Sequence, residues 1–345
     1  MFRKIEVKHC FRRSSTQIGT VSNMPTQSFD PILNREIAKE IAKSVIDVAS
    51  PTLQETVNFA TNLYPRCQTS KAGKKLEAFS LLALFLHVIQ SIDAAEVLVS
   101  QSCGAPVNLV LRSAFEAKLS IEYICEQKSE KRAAAWSVKH ILQEIEYYKN
   151  YNPIDPKGVQ FLQNWGEGDW GKVIGPPSLV DASSIIKGLE DKLKKPIYID
   201  VYKDYQQMRK GRSKLPEWYS LYEGPKNLWE LSQHLKHGVE YEMFYKAWSK
   251  QSHANDTHHL TLPMPDGTSI LGSLRNPLDL VNVSTGGLVI MMNTLMLILK
   301  KFRPDEISHL RDWHRKEIYD RQMQLLNLSL SAAKWYEETF IKKKW

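Results

Sequence analysis

From Asn34 onward, apolar residues recur at three-and-four spacing, and this period predicts helices along most of the chain. In "REIAKEIAKSVIDVA" the period runs up to Pro51, which ends the helix or restarts it. A second helix is then expected over 51–64 with Pro51 at its first position. The longest signal is "KKLEAFSLLALFLHVIQSIDAAEVLVSQ", residues 74–101, which contains no Gly or Pro and is apolar nearly all round. A helix of that kind belongs at the centre of a fold. "SCGAP" then makes a tight turn, and "VNLVLRSAFEAKLSIEYICEQ", 107–127, reads as a second buried helix returning antiparallel to the first. "SEKRAAAWSVKHILQEIEYYKNY", 129–151, reads as a third helix, with Ser129 as its N-cap and Lys131 and Arg132 in its first turn.

The period fails over 152–180, where Pro153, Pro156, Gly158, Gly166, Gly168, Gly171, Gly175, Pro176 and Pro177 predict an irregular excursion, pinned to the body by Trp165 and Trp170. Shorter helices are expected at 181–193, 199–210, 226–236 and 239–252, with an aromatic-rich connection at 215–227. "LTLPMPDGTSILG", 260–272, reads as a small hairpin around Asp-Gly. Two long helices, 277–302 and 304–341, close the chain. The fold class is therefore all-α: a large helical bundle with long antiparallel helices, one irregular Gly/Pro/Trp-rich loop and at most one small β-hairpin. Residues 1–30 have no sustained period and read as a flexible N-terminal arm or a segment that docks a partner protein. Residues 31–345 read as a single large helical domain. Within it lie a helical core at 74–151, an irregular insertion at 152–225, motif helices at 226–256 and C-terminal helices at 277–341.

Composition changes this picture little. The 345 residues are 43% hydrophobic and 24% charged, as in ordinary globular proteins. The net charge of +8 is compatible with RNA or another polyanion, and the basic runs at 192–195, 209–214 and 342–344 read as solvated surface ahead of nucleic-acid contact. Cys10, Cys67, Cys103 and Cys125 show neither CxxC nor zinc spacing, which suits free thiols in a reducing cytoplasm. The N-terminus has no continuous apolar run of the secretory kind. "LVIMMNTLMLIL", 288–299, is apolar but short of the roughly 20 residues a bilayer span needs, so a buried helix is expected and no membrane partner. No glycine-rich phosphate loop, GxSxG or HExxH is present, and no cofactor is implied. A homo-oligomer is compatible with all of this.

Candidate chemistry comes from polar residues in apolar helices. Arg112 and Glu116, four apart in "NLVLRSAFEAKL", are expected to be buried and paired, because an unpaired charge there is costly. In "YKAWSKQSHAND", Tyr245, Ser249 and His253 are also spaced by four and form one winding polar stripe, with Phe244 and Trp248 beside it facing the bundle. If the stripe faces Arg112 and Glu116, guanidinium, carboxylate, phenol, hydroxyl and imidazole meet in one site.

The pairing of "LRSAFEAKLSIEYI" with "YKAWSKQSHAND" resembles an uncharacterised family of helical bacterial proteins that carry an Arg-Ser-x-x-Glu helix and a Tyr-x3-Ser-x3-His helix. Arg112, Ser113, Glu116, Tyr245, Ser249 and His253 match, over about residues 75–260. The resemblance implies an all-helical fold and no established reaction. The chain is more loosely similar to HEPN-type helical ribonucleases of toxin and phage-defence systems. Those carry an Arg and a His a turn or more apart on one helix, whereas Arg311 and His314 here are closer than that pattern. Three readings stand. In the first, a metal-independent ribonuclease or other phosphate-ester enzyme uses His253 as acid or base, Arg112 as phosphate clamp, and Tyr245 or Ser249 as a hydrogen-bonding aid, with Glu116 in the same site. In the second, a binding or scaffold protein uses the same residues as a structural polar network. In the third, a metal hydrolase uses His253, Asp256, His258 and His259. His87 reads as a core histidine with its hydrogen bonds met, and it joins a metal site with Asp93 only if the fold brings them close.

Overall fold

The computed structural model describes residues 34–175, 177, 179–211, 215–250, 261–263, 269–271 and 275–336. The N-terminal arm lies outside this set. By packing, the chain divides after Arg35, and residues 36–345 form the unit considered below.

The architecture is all-α. Helices α1 (Arg35–Thr69), α2 (Ala78–Ser100), α3 (Val107–Glu126) and α4 (Ser129–Tyr151) come first. They are followed by α5 (Pro156–Glu167), α6 (Asp169–Ile174), α7 (Ser183–Leu193) and α8 (Pro196–Arg209). After a buried 3₁₀ segment, Trp218–Glu223, come α9 (Leu228–His234), α10 (Gly238–Glu240), a π turn (Tyr241–Tyr245) and α11 (Lys246–Lys250). A two-stranded antiparallel hairpin, β1 (Thr261–Pro263) with β2 (Ser269–Leu271), precedes α12 (Pro277–Phe302), α13 (Ile307–Trp313), a second π turn (His314–Ile318) and α14 (Tyr319–Tyr336).

The core is the α2–α3 hairpin with α12 laid against both. Phe85, Val88 and Ile92 of α2, Leu111, Leu119 and Ile124 of α3, and Met291, Leu295 and Ile298 of α12 are sealed from solvent. Full burial stabilises such a side chain by about 1.5–3 kcal/mol. Two adjacent glycines let α12 come this close. A Cβ at Gly286 would lie 3.0 Å from the Trp248 ring, and one at Gly287 would lie 3.3 Å from Leu53. By length and composition α2 and α12 could each cross a membrane, but here they pack on one another inside the bundle, as expected for 288–299.

The structure corrects four local expectations. Pro51 does not divide α1, which runs straight through it. The amide that proline lacks would have bonded the carbonyl of Asp47, and Asp47 is exposed, so water can take its place. Ser129 is not the cap of α4. Lys128 takes that place at φ +48°, and the Ser129 hydroxyl accepts instead from Lys301 Nζ at 3.3 Å. Residues 152–180 are largely helical. Asp155 caps α5 by accepting from the Lys157 amide at 3.0 Å, and Pro156 starts the helix. Trp165 bonds the carbonyl of Gly175 at 2.9 Å and meets Phe161, whose ring packs on Tyr151 of α4. Finally, 239–252 is not one α-helix: the Lys246 amide reaches back five residues to Tyr241, which makes the π turn.

Candidate functional site

The segment α9–α11 runs antiparallel to α3. As it advances from His234 to Tyr245, its partners on α3 step back from Glu126 through Glu122 to Glu116. Three polar groups form along this seam.

At the first, the Tyr245 hydroxyl donates to Glu116 Oε1 at 2.7 Å. Arg112 Nε donates to that hydroxyl at 3.1 Å and to Glu116 at 3.3 Å. The guanidinium lies 5.1 Å from the Tyr245 ring centre, and that ring stacks on Tyr241 at 4.8 Å, i to i+4 across the π turn. Burial lowers the affinity of Arg112 for its proton, but Tyr245 and Glu116 outweigh it and the net shift is upward. Burial and the Glu116 carboxylate push the Tyr245 phenol up to about 12, so it stays a donor. Arg112 and Glu116 thus meet Tyr245 as expected, but they are not buried: their side chains are 30% and 44% exposed. The buried Tyr245, seated against Phe115, forms one wall.

Trp248 is buried against Phe115 and α12, as its place beside the stripe predicts. Ser249 follows one turn after Tyr245, half-buried, with its hydroxyl shielded from solvent. His253, Asp256, His258 and His259 lie outside the described residues. Among those described, no cluster of His, Cys, Asp and Glu could hold a metal ion. Arg311 and His314 sit on α13 and the second π turn, where His314 bonds Gln322 at 2.9 Å.

A second feature corrects the reading of His87 as a core residue. It is exposed, and its Nε2 meets the Ser113 hydroxyl of α3 at 2.7 Å. Successive residues of an α-helix rotate by about 100°, so Arg112, Glu116 and Ser113 cover one arc of α3, with Glu116 in the middle. Arg112 turns toward Tyr245 and Ser113 toward α2.

The deepest cluster was not singled out from the sequence. Lys118, 3% exposed, donates to Glu122 at 2.7 Å, and its ammonium lies 2.5 Å from His237 Nε2. His237 Nε2 is also 2.8 Å from Glu122, and its Nδ1 is 3.1 Å from Glu240. Burial holds Lys118 below the usual lysine range. The bond to Glu122 raises His237 despite burial. Burial pushes Glu122 and Glu240 upward, but their bonds to His237, and for Glu122 to Lys118, bring both below the usual carboxylate range. The signal was present: Lys118 and Glu122 repeat the four-residue spacing of Arg112 and Glu116 on the same apolar helix. Beyond them, Glu126 accepts from Arg132 and pairs with His234 at 2.8 Å.

Fold and site together define an all-α protein built on a central helical hairpin, with a polar seam between the second helix of that hairpin and a returning segment. Residues 79–262 match a family of unknown function, DUF5677, and the chain belongs to it. The match covers α2–α11, both sides of the seam included. No curated protein and no solved structure matches the chain.

Proposed function

We propose that this protein acts on a phosphate ester at the Arg112 end of the seam, with RNA as the first substrate to test. Arg112 is the clamp on phosphate oxygens, His253 the acid–base group, and Tyr245 and Ser249 hydrogen-bonding aids. One observation carries the reading: the guanidinium is fixed through its Nε by Glu116 and Tyr245 while remaining partly open to solvent. A planar cation oriented in this way is suited to two-point contact with phosphate. The chain's net charge of +8 favours approach of a polyanion. The looser likeness to helical ribonucleases of toxin and phage-defence systems is the reason for starting with RNA.

A second reading has its own support. The phenol bridging Arg112 and Glu116 makes a closed three-way network of the kind that fixes helix register in a scaffold. The test is cleavage of RNA by the full chain, with and without divalent metal, compared with His253→Ala, Arg112→Lys and a His258→Ala control. Loss of a general acid or base costs about 10²–10⁴-fold in rate. The expected pattern is that fall for His253→Ala, a clear loss for Arg112→Lys, and little change for the control. Equal cleavage by wild type and His253→Ala would remove the acid–base role. An inert wild type would put the scaffold reading in its place.

A further inference from the structure

We propose that Ser113 is a nucleophile activated by His87, and that the arc of α3 carrying it accepts a phosphoryl group. The choice of a phosphoryl group rests on the reading above; the activation of Ser113 does not.

The first observation is where the hydroxyl points. Helical serines and threonines here usually donate to the carbonyl four residues back, as Ser91, Ser120, Thr285 and Thr294 do. Ser113 instead makes its bond across the hairpin to His87 Nε2, at 2.7 Å. A nucleophile and its base within hydrogen-bond reach are the minimum for this chemistry.

The second is how differently this imidazole is used from its neighbours. His234 and His237 are tied to carboxylates, which accounts for them as structural groups. Among the described residues, the ring of His87 bonds only Ser113, and it stands exposed on α2. Among the described residues, no ion pair explains its presence there.

The third is the surroundings of Ser113. Arg112 lies on the same arc, with its guanidinium fixed by Tyr245 and Glu116. One turn before the pair stands Leu109, 45% exposed, and residues 107–111, which precede Arg112 on α3, carry no carboxylate.

The step balances without redox. Ser113 Oγ attacks phosphorus while its proton passes to His87 Nε2. The bond from phosphorus to the leaving oxygen breaks, and His87 returns the proton to the departing alcohol. Water, deprotonated by His87, then attacks phosphorus. The Oγ–P bond breaks, and Ser113 regains a proton. The net reaction is hydrolysis of the ester.

The test uses a fluorophosphonate probe on the full chain, with the adduct located by peptide mass mapping. The probe needs only an activated hydroxyl: Oγ displaces fluoride and His87 takes the proton. The expected result is an adduct on Ser113, none on that peptide in Ser113→Ala, and labelling at least about tenfold slower in His87→Gln. No adduct on Ser113, or a rate unchanged in His87→Gln, would each overturn the proposal. The ribonuclease reading fails separately. Labelling of Ser113 by a chain inert to RNA supports the activated serine and ends the ribonuclease. RNA cleavage undiminished in Ser113→Ala ends the role of Ser113 and leaves the ribonuclease in place.

Discussion

Replacing Glu122 by alanine strands an ammonium inside the protein. Helix α3 carries two ion pairs of the same i,i+4 design, which makes an internal comparison possible. Arg112 and Glu116 are 30% and 44% exposed and 3.3 Å apart; Lys118 and Glu122 are 3% and 26% exposed and 2.7 Å apart. Exposed pairs contribute about 0.2–1 kcal/mol, so Glu116→Ala should cost about 0.5 kcal/mol. Breaking a buried pair costs about 3–5 kcal/mol, because the remaining charge has no water to return to. Glu240 still supplies a negative charge near Lys118, and Glu122 is itself a quarter exposed. The lower end, about 3 kcal/mol, is therefore expected for Glu122→Ala, roughly a hundredfold in the folding equilibrium. The double variant Lys118→Met/Glu122→Ala should recover most of that loss, since it leaves no charge stranded. Urea unfolding of the three variants and wild type measures all of this through the midpoints, provided the slopes agree. The reasoning fails if Glu116→Ala costs as much as Glu122→Ala, or if the double variant is less stable than Glu122→Ala alone.

Two further outcomes follow from the same seam. Tyr245→Phe keeps the ring against Phe115 and Tyr241 but deletes the hydroxyl between Arg112 and Glu116; because Glu116 is re-solvated, the expected cost is about 1 kcal/mol by thermal melting, and a loss above about 3 kcal/mol would mean that the site is closed to water. The His237 pKa is raised on folding, so its share of stability is fully present below the ordinary histidine value of ~6.5 and is lost as pH rises through the raised one; Glu122 and Glu240 are lowered, so theirs is present above ~4.3 and is lost as pH falls through their folded values. Lys118, lowered by burial, opposes folding most where it is fully ionised, and this penalty eases only toward alkaline pH. Stability measured between about pH 5 and 8 should therefore decline at the upper end in wild type and flatten in His237→Gln; identical profiles would count against the ion pairs of His237.

The long helices were legible because their period is uninterrupted. The expected spans 107–127 and 277–302 differ from α3 and α12 by a residue at most, and 129–151 is α4 itself. The misses occur where a single residue has two physical meanings. Gly158 reads as a helix breaker, yet it stands in α5 because a Cβ there would fall 1.8 Å from the carbonyl oxygen of Asn152; it marks a close approach of backbones. Pro156 reads as loop and is a helix start. Pro51 reads as a boundary and is carried inside α1, where the carbonyl left without its amide belongs to the exposed Asp47. In the site, spacing correctly paired Arg112 with Glu116 and set both against Tyr245, but helical spacing reports which residues share a face and not how deep that face lies. Lys118 and Glu122 have the same spacing and sit deeper. His87 was placed in the core because its helix is apolar on nearly every side, although α2 leaves Phe79, Leu86 and Val97 exposed as well.

The seam has a closed end and an open end, and this difference bears on where chemistry belongs. At the Lys118 end each charged group is answered at short range: ammonium and imidazole by Glu122, and the second ring nitrogen by Glu240. A neutral His237 could instead accept from Lys118 through Nε2 while still donating to Glu240 through Nδ1, so the cluster has a fully bonded arrangement in either protonation state. Such a cluster holds two helices in register and gives a substrate nothing to displace. Six residues toward the start of α3, the same design is repeated with Arg for Lys and Tyr for His, and it stands half in solvent beside a serine bonded to an exposed histidine. An ion pair contributes little to stability in that position, which is in keeping with the phosphate-ester site proposed above. The closed end supplies rigidity, and the open end, on the same helix α3, is where the proposed chemistry would act.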